Sequence, residues 1–155
     1  MIEAKNIYLS YDDNKYIIKK GNFIIRPKEF IFIGGNSGSG KSTLLKSFYG
    51  DIPLKHGSLK IEGQEVFGIR GKRLRVLRKD IGIIFQDYKL IAEYTIEENI
   101  MVPLKINGYS NEVSQDQAKK LLAHVRLSHR AGYYPNELSG GEQQRVAVAR
   151  ALAHN

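Results

Sequence analysis

The run Gly35-Asn36-Ser37-Gly38-Ser39-Gly40-Lys41-Ser42 constrains the fold more than any other stretch of the chain. It satisfies G-x-x-x-x-G-K-[ST], with Thr43 following. Just before it, Phe30-Ile31-Phe32-Ile33 is apolar at every position, the pattern of a central strand buried on both faces. Just after it, Lys41 to Tyr49 reads as a helix stopped by Gly50. Strand, glycine-rich loop and helix in that order predict an α/β core whose loop crowds backbone amides around an anion. Glycines permit this because they tolerate positive φ and add no side chain. The opening helix contributes its positive dipole end. Phosphate is the anion that suits such a loop: Lys41 reaches β and γ phosphates, the Ser42 hydroxyl ligates Mg²⁺, and Thr43 lies at the α-phosphate. On this motif alone, kinases, GTPases, helicases and transporters stay open.

Composition narrows the setting. At 42% hydrophobic and 26% charged residues, the 155-residue chain has the make-up of one soluble globular domain. The absence of cysteine excludes disulfides and thiolate metal sites and fits a reducing compartment. Apolar runs are strand-sized, and Met1-Ile2-Glu3-Ala4 has no signal-peptide character. The expected location is cytoplasmic. A net charge of +8 points to polyanions or an anionic membrane. Its densest cluster is Arg70, Lys72, Arg73, Arg75, Arg78 and Lys79, interleaved with Leu74, Val76 and Leu77, which predicts a helix with a solvated basic face; a membrane-facing surface is the other reading.

Along the chain, Ile2 to Leu9, Tyr16 to Ile18 and Asn22 to Ile25 read as short strands in a hairpin-like arrangement, closed by the turn Arg26-Pro27-Lys28-Glu29. Leu59 to Glu62 and Ile81 to Phe85 are further expected strands. Past Thr95 the pattern turns helical. Thr95 and Glu98 have capping-box spacing, and Val113, Ala118, Leu121, Leu122 and Val125 recur at helical intervals. The expected organisation is a β-rich core over 1–94, a helical subdomain over 95–137 and a final segment over 138–155.

That last segment opens with Leu138-Ser139-Gly140-Gly141-Glu142-Gln143-Gln144-Arg145. Ser139 is an N-cap, Gly140 and Gly141 expose the first helical amides, and Glu142 closes a capping box, so this helix start is a second phosphate site. The segment resembles the signature sequence of ATP-binding-cassette (ABC) ATPases. The resemblance implies an α/β P-loop ABC-type fold with an antiparallel β subdomain and a helical insert, binding ATP and Mg²⁺. It also implies a head-to-tail homodimer that sandwiches ATP, Ser139 and Gly141 touching the γ-phosphate held by the partner's phosphate loop. Gln86 takes the place of the Q-loop glutamine, near Mg²⁺ and the attacking water, and Tyr11 that of the aromatic stacked on adenine.

Within the family, the stretches Gly35 to Leu45, Leu77 to Asp87, Thr95 to Ile100 with Pro103-Leu104, and Leu138 to Ala151 are most similar to the cell-division branch, FtsE. That implies a peripheral place on the inner membrane face beside an integral partner resembling FtsX. Asp87 separates this branch from lipoprotein-releasing and macrolide-export relatives, which stay the alternative. Lys28 and Arg126 stand where glycines are usual, and both look like surface substitutions. The Asp-Glu strand and the later histidine that the family needs for hydrolysis are not expected within these residues. Neither Asp87 nor His154 stands in for them, so this chain is expected to bind ATP without turning it over, with no catalytic residue beyond the positioning role of Gln86. Fifty-three positions separate Gln86 from Ser139, too few for the coiled coil of DNA-repair ABC heads, so nucleic acid is not an expected partner. A non-catalytic nucleotide-binding module remains the alternative of another class.

Overall fold

The structure is a computed structural model that describes residues 1–11 and 15–153. It divides into two compact units, Met1–Arg78 and Lys79–Asn155.

The first unit is built on a four-stranded antiparallel sheet in the order β2-β1-β3-β4, with β1 Ile2–Leu9, β2 Ile18–Ile25, β3 Leu54–Ile61 and β4 Gln64–Glu65. The hairpin expected from the sequence is present, and Tyr16 to Ile18 and Asn22 to Ile25 contribute to one strand rather than two. β3 runs five residues further towards the N-terminus than the expected Leu59 start. It turns into β4 through Glu62-Gly63, both left-handed at φ 47° and 77°, the backbone of a two-residue type I′ hairpin. Alternation along β1 and β3 buries Ala4, Ile7, Leu9, Leu54, Leu59 and Ile61, and α1 Lys41–Phe48 adds Phe48, whose ring lies 6.1 Å from Phe23. α2 Gly71–Lys79 is the expected basic helix. It buries Leu77, while Arg78 is not merely solvated: its guanidinium donates to the carbonyls of Tyr49 and Gly50, where α1 ends and its dipole is negative.

Two expected strands are not paired. Phe30 to Ile33 and Ile81 to Phe85 join no strand ladder, and Phe30 and Phe32 are 84% and 87% exposed. Side chains of a both-faces-apolar strand are buried only when neighbouring strands and covering helices are in place, and the sheet of the described residues is antiparallel and closed off at β2 and β4. Phe30 and Phe32 instead pack edge to face on one another at 5.0 Å.

The second unit is helical. α3 Ile96–Ile106, α4 Asn111–His124 and α5 Gly140–Ala151 enclose a core of Ile96, Ile100, Leu104, Ala118, Leu122, Leu127, Val146 and Ala149. The Thr95–Glu98 capping box forms at the start of α3, as its spacing requires. α4 starts on Ser110, whose hydroxyl accepts from the Val113 amide, and ends before Arg126 at φ 60°. Arg126 therefore occupies the left-handed position after a helix end that favours glycine. Lys28 does the same at φ 67°, at the third position of the Arg26–Glu29 turn. Both residues are exposed, but their backbone, not only their surface, marks where glycine would be easier. His154 lies outside the described residues.

Candidate functional site

The loop between residue 34 and α1 owes its shape to glycines and to one lysine. Gly35, Gly38 and Gly40 all have positive φ, at 147°, 78° and 95°. Gly40, the N-cap of α1, is both left-handed and crowded: a Cβ there would lie 2.6 Å from Cγ2 of Ile17. Any other residue there would have to displace the Ile17 side chain and hold a left-handed backbone. Lys41 folds back over the loop, Nζ donating to the carbonyls of Gly35 at 2.9 Å and Asn36 at 2.8 Å, while the Ser39 amide donates to the Asn36 carbonyl. The ammonium group thus closes the loop and stays exposed at its mouth.

The helix start behind that loop has unspent donors. The first intrahelical bond runs from the Leu44 amide to the Gly40 carbonyl, no side chain caps the end, and no acidic residue stands in the first turn. The amides of Lys41, Ser42 and Thr43 therefore precede any backbone acceptor of their own helix. Ser42 is exposed, Thr43 is buried, and Thr43 Oγ1 lies 3.4 Å from the hydroxyl of Tyr11, which is itself 59% exposed. Tyr11, Lys41, Ser42 and Thr43 are thus brought to one end of α1. Ser37 and Gly38 form the exposed tip of the loop.

These residues fit a triphosphate with its cation. Uncapped amides, a lysine and a hydroxyl supply donors and positive potential, and the first turn of α1 carries no carboxylate to oppose an anion. Among the described residues no group of three His, Cys, Asp or Glu could hold a metal by itself. Mg²⁺ at Ser42 would draw its other ligands from phosphate oxygens and water, which is how that ion is usually held.

In the second unit, Ser139 caps α5 in the full reciprocal manner. The Glu142 amide donates to Ser139 Oγ at 3.4 Å, and the Glu142 carboxylate accepts from the Ser139 amide at 2.8 Å and the Ser139 hydroxyl at 2.7 Å. Those bonds, the hydroxyl's first, hold the Glu142 carboxyl below its ordinary range. Because the Ser139 hydroxyl is engaged in both directions, the donors left open at this helix start are the exposed amides of Gly140 and Gly141. Gln86 is exposed at the second position of a turn closed by the Tyr88 amide on the Phe85 carbonyl, and it belongs to the unit of α5.

Three residues near these positions are not singled out by the sequence. Asn99 is fully buried and bonds the loop before α3: its Oδ1 accepts from the Ile91 amide, and its Nδ2 donates to the carbonyls of Ile91, Tyr94 and Thr95. Gln143 donates to the carbonyls of Pro135 and Leu138. Arg150 donates to the carbonyls of Tyr88 and Lys89. An Asn inside a helical run is the one local signal among them, since Asn is a poor interior helix residue.

Comparison with known proteins agrees with this geometry. The family model described as ABC transporter matches residues 18–155. The cell division ATP-binding protein FtsE of Streptococcus pneumoniae serotype 2 (strain D39 / NCTC 7466) is 37% identical over 155 residues, covering 100% of this chain and 67% of that protein. The lipoprotein-releasing system ATP-binding protein LolD of Porphyromonas gingivalis (strain ATCC BAA-308 / W83) is 38% identical over 156 residues, covering 100% and 71%. A solved dimeric structure of the ATP-binding cassette MJ0796, in a post-hydrolysis state bound to ADP and Pi, superposes with a TM-score of 0.90 at 36% identity, covering 100% of this chain and 70% of that one. A family match over residues 18–155 and a superposition that covers the whole chain make this chain a member of the ABC transporter ATP-binding family.

Proposed function

We propose that this chain is the ATP-binding part of an FtsE-like ABC subunit, which couples ATP binding and hydrolysis to an integral membrane partner resembling FtsX. The observation that carries the binding half is the loop itself: an uncapped α1 start behind left-handed glycines, with the Lys41 ammonium exposed at its mouth. In this reading Gly35 to Thr43 hold the phosphates, Ser42 and Gln86 reach Mg²⁺, and Tyr11 stacks on adenine. Mg²⁺ supplies charge neutralisation between the β and γ phosphates. Lys41 exchanges its two carbonyl acceptors for phosphate oxygens, a stronger charge-assisted pairing.

The open amides of Gly140 and Gly141 support a second nucleotide contact made in trans, to the γ-phosphate held by a second copy of the chain. No helix among the described residues is long and apolar enough to cross a membrane. Identities of 37% to FtsE and 38% to LolD leave the lipoprotein-releasing branch as the second reading; Asp87 favours the first.

Ser139→Arg tests the assembly. The arginine should leave ATP binding by a monomer intact and block ATP-dependent dimerisation, followed by light scattering with a non-hydrolysed ATP analogue. A dimer that persists in the variant refutes the trans contact.

A further inference from the structure

Arg150 lies in the last turn of α5, half-buried, and its two short hydrogen bonds go to backbone carbonyls of the segment that follows Gln86. Nη2 donates to the Tyr88 carbonyl at 2.6 Å and Nη1 to the Lys89 carbonyl at 2.7 Å, with Asn99 Oδ1 at 3.5 Å from the same Nη1. No carboxylate pairs with it among the described residues. Burial alone acts on its charge, and it acts to lower the pKa. A guanidinium placed for stability is normally compensated by an anion, since taking a charge out of water is expensive. Here the compensation is two backbone carbonyls.

Those carbonyls belong to an uncommon backbone. Tyr88 and Lys89 are consecutive non-glycine residues with left-handed φ, 58° and 46°. Each such residue is strained by the crowding of Cβ against the backbone, so the pair persists only where its surroundings hold it. The Arg150 fork is what holds it: left-handed backbone turns both carbonyls to one side, and two parallel donors meet them there. Two further contacts bind residues on either side of Gln86 to α5. A Cβ on Gly82 would lie 2.2 Å from the Ala151 carbonyl, so only glycine allows this approach, and the Tyr88 hydroxyl lies near Gly140 at the opposite end of the helix.

We propose that Arg150 is a positioning residue that fastens the Gln86 turn to α5, so that Gln86 and the Gly140-Gly141 amides move as one body. The consequence for the reaction rests on the function proposed above; the fastening itself does not. Ser139 and Arg150 are separated by roughly 16 Å of rigid helix. A shift of the amides on meeting a nucleotide is then carried to Gln86, because Gly82 before it and Tyr88 and Lys89 after it are all held against α5.

The test uses the encoded protein with Arg150→Gln and Arg150→Lys. Amide exchange across 86–92 should quicken about tenfold in the Gln variant and by less in the Lys variant, whose single ammonium reaches one carbonyl. Affinity for a fluorescent ATP analogue should stay within about twofold in both, because the phosphate loop is untouched, while kcat falls about tenfold with KM unchanged in the Gln variant and recovers in part in the Lys variant. Unchanged exchange in the Gln variant overturns the fastening. Quickened exchange with unaltered kcat overturns the coupling, as does a parallel loss of ATP affinity. Should the Gln variant not fold, the Lys variant decides alone: faster exchange at 86–92 with unaltered ATP affinity is required, and unaltered exchange overturns the proposal. An unmutated protein that does not bind the ATP analogue would defeat the proposed function, and the exchange measurement would still decide the fastening.

Discussion

Replacing Asn99 by Ala should be among the most damaging single changes in the helical unit. The side chain is fully buried and makes four hydrogen bonds to the loop before α3. Two of its partners have other bonds: the Thr95 carbonyl also accepts from the Asn99 amide, and the Ile91 carbonyl from the Tyr94 amide. The Ile91 amide and the Tyr94 carbonyl are the groups that lose their partner. A buried polar group left unmade costs about 1–3 kcal/mol, so the pair amounts to roughly 3 kcal/mol once water repairs part of the loss. For a protein of this size that is a fall in Tm of roughly 6–12 °C. Circular dichroism at 222 nm, wild type against Asn99→Ala and Asn99→Asp, measures it; Asp keeps the acceptor for Ile91 and loses the donors. A shift below about 2 °C in the Ala variant would refute the accounting.

Other outcomes follow from the same geometry. Lys28→Gly and Arg126→Gly should each raise Tm by about 1–4 °C, because relief of a left-handed L-residue exceeds the added chain entropy of glycine by about 0.5–1 kcal/mol; a lowered melt would contradict this. Phe30→Ser with Phe32→Thr in the 155-residue chain should reduce self-association seen by light scattering, since the pair is exposed on an unpaired segment. A wild-type chain already monomeric at high concentration would contradict it. The folded pKa of Glu142 is depressed, so the α5 cap contributes most above the ordinary carboxylate range and is lost as pH falls through the depressed value. Glu142→Gln should therefore flatten the acid limb of a Tm–pH curve, and an unaltered limb would contradict the capping account.

Local chemistry was readable, and pairing across the chain was not. The loop Gly35 to Ser42, the helix after it, and both capping boxes follow from residues a few positions apart, and the structure forms each of them. Phe30 to Ile33 reads as a buried strand because its apolarity is local, whereas burial depends on neighbours that no short window contains. Lys28 and Arg126 were visible as departures from glycine, yet the reason, a left-handed backbone, is a property of the turn and the helix end. Arg150 bonds residues 61 and 62 positions away, and nothing in its helical spacing announces that.

The central claim is that the loop from Gly35 to Thr43 binds the phosphates of ATP, with Lys41 as the cation at their β and γ positions. Equilibrium titration of a fluorescent ATP analogue with Mg²⁺ against the wild type and Lys41→Ala tests it most directly. Loss of a charge-assisted hydrogen bond to phosphate predicts an affinity at least about ten- to hundredfold weaker in the variant, and an affinity unchanged from the wild type would contradict the assignment.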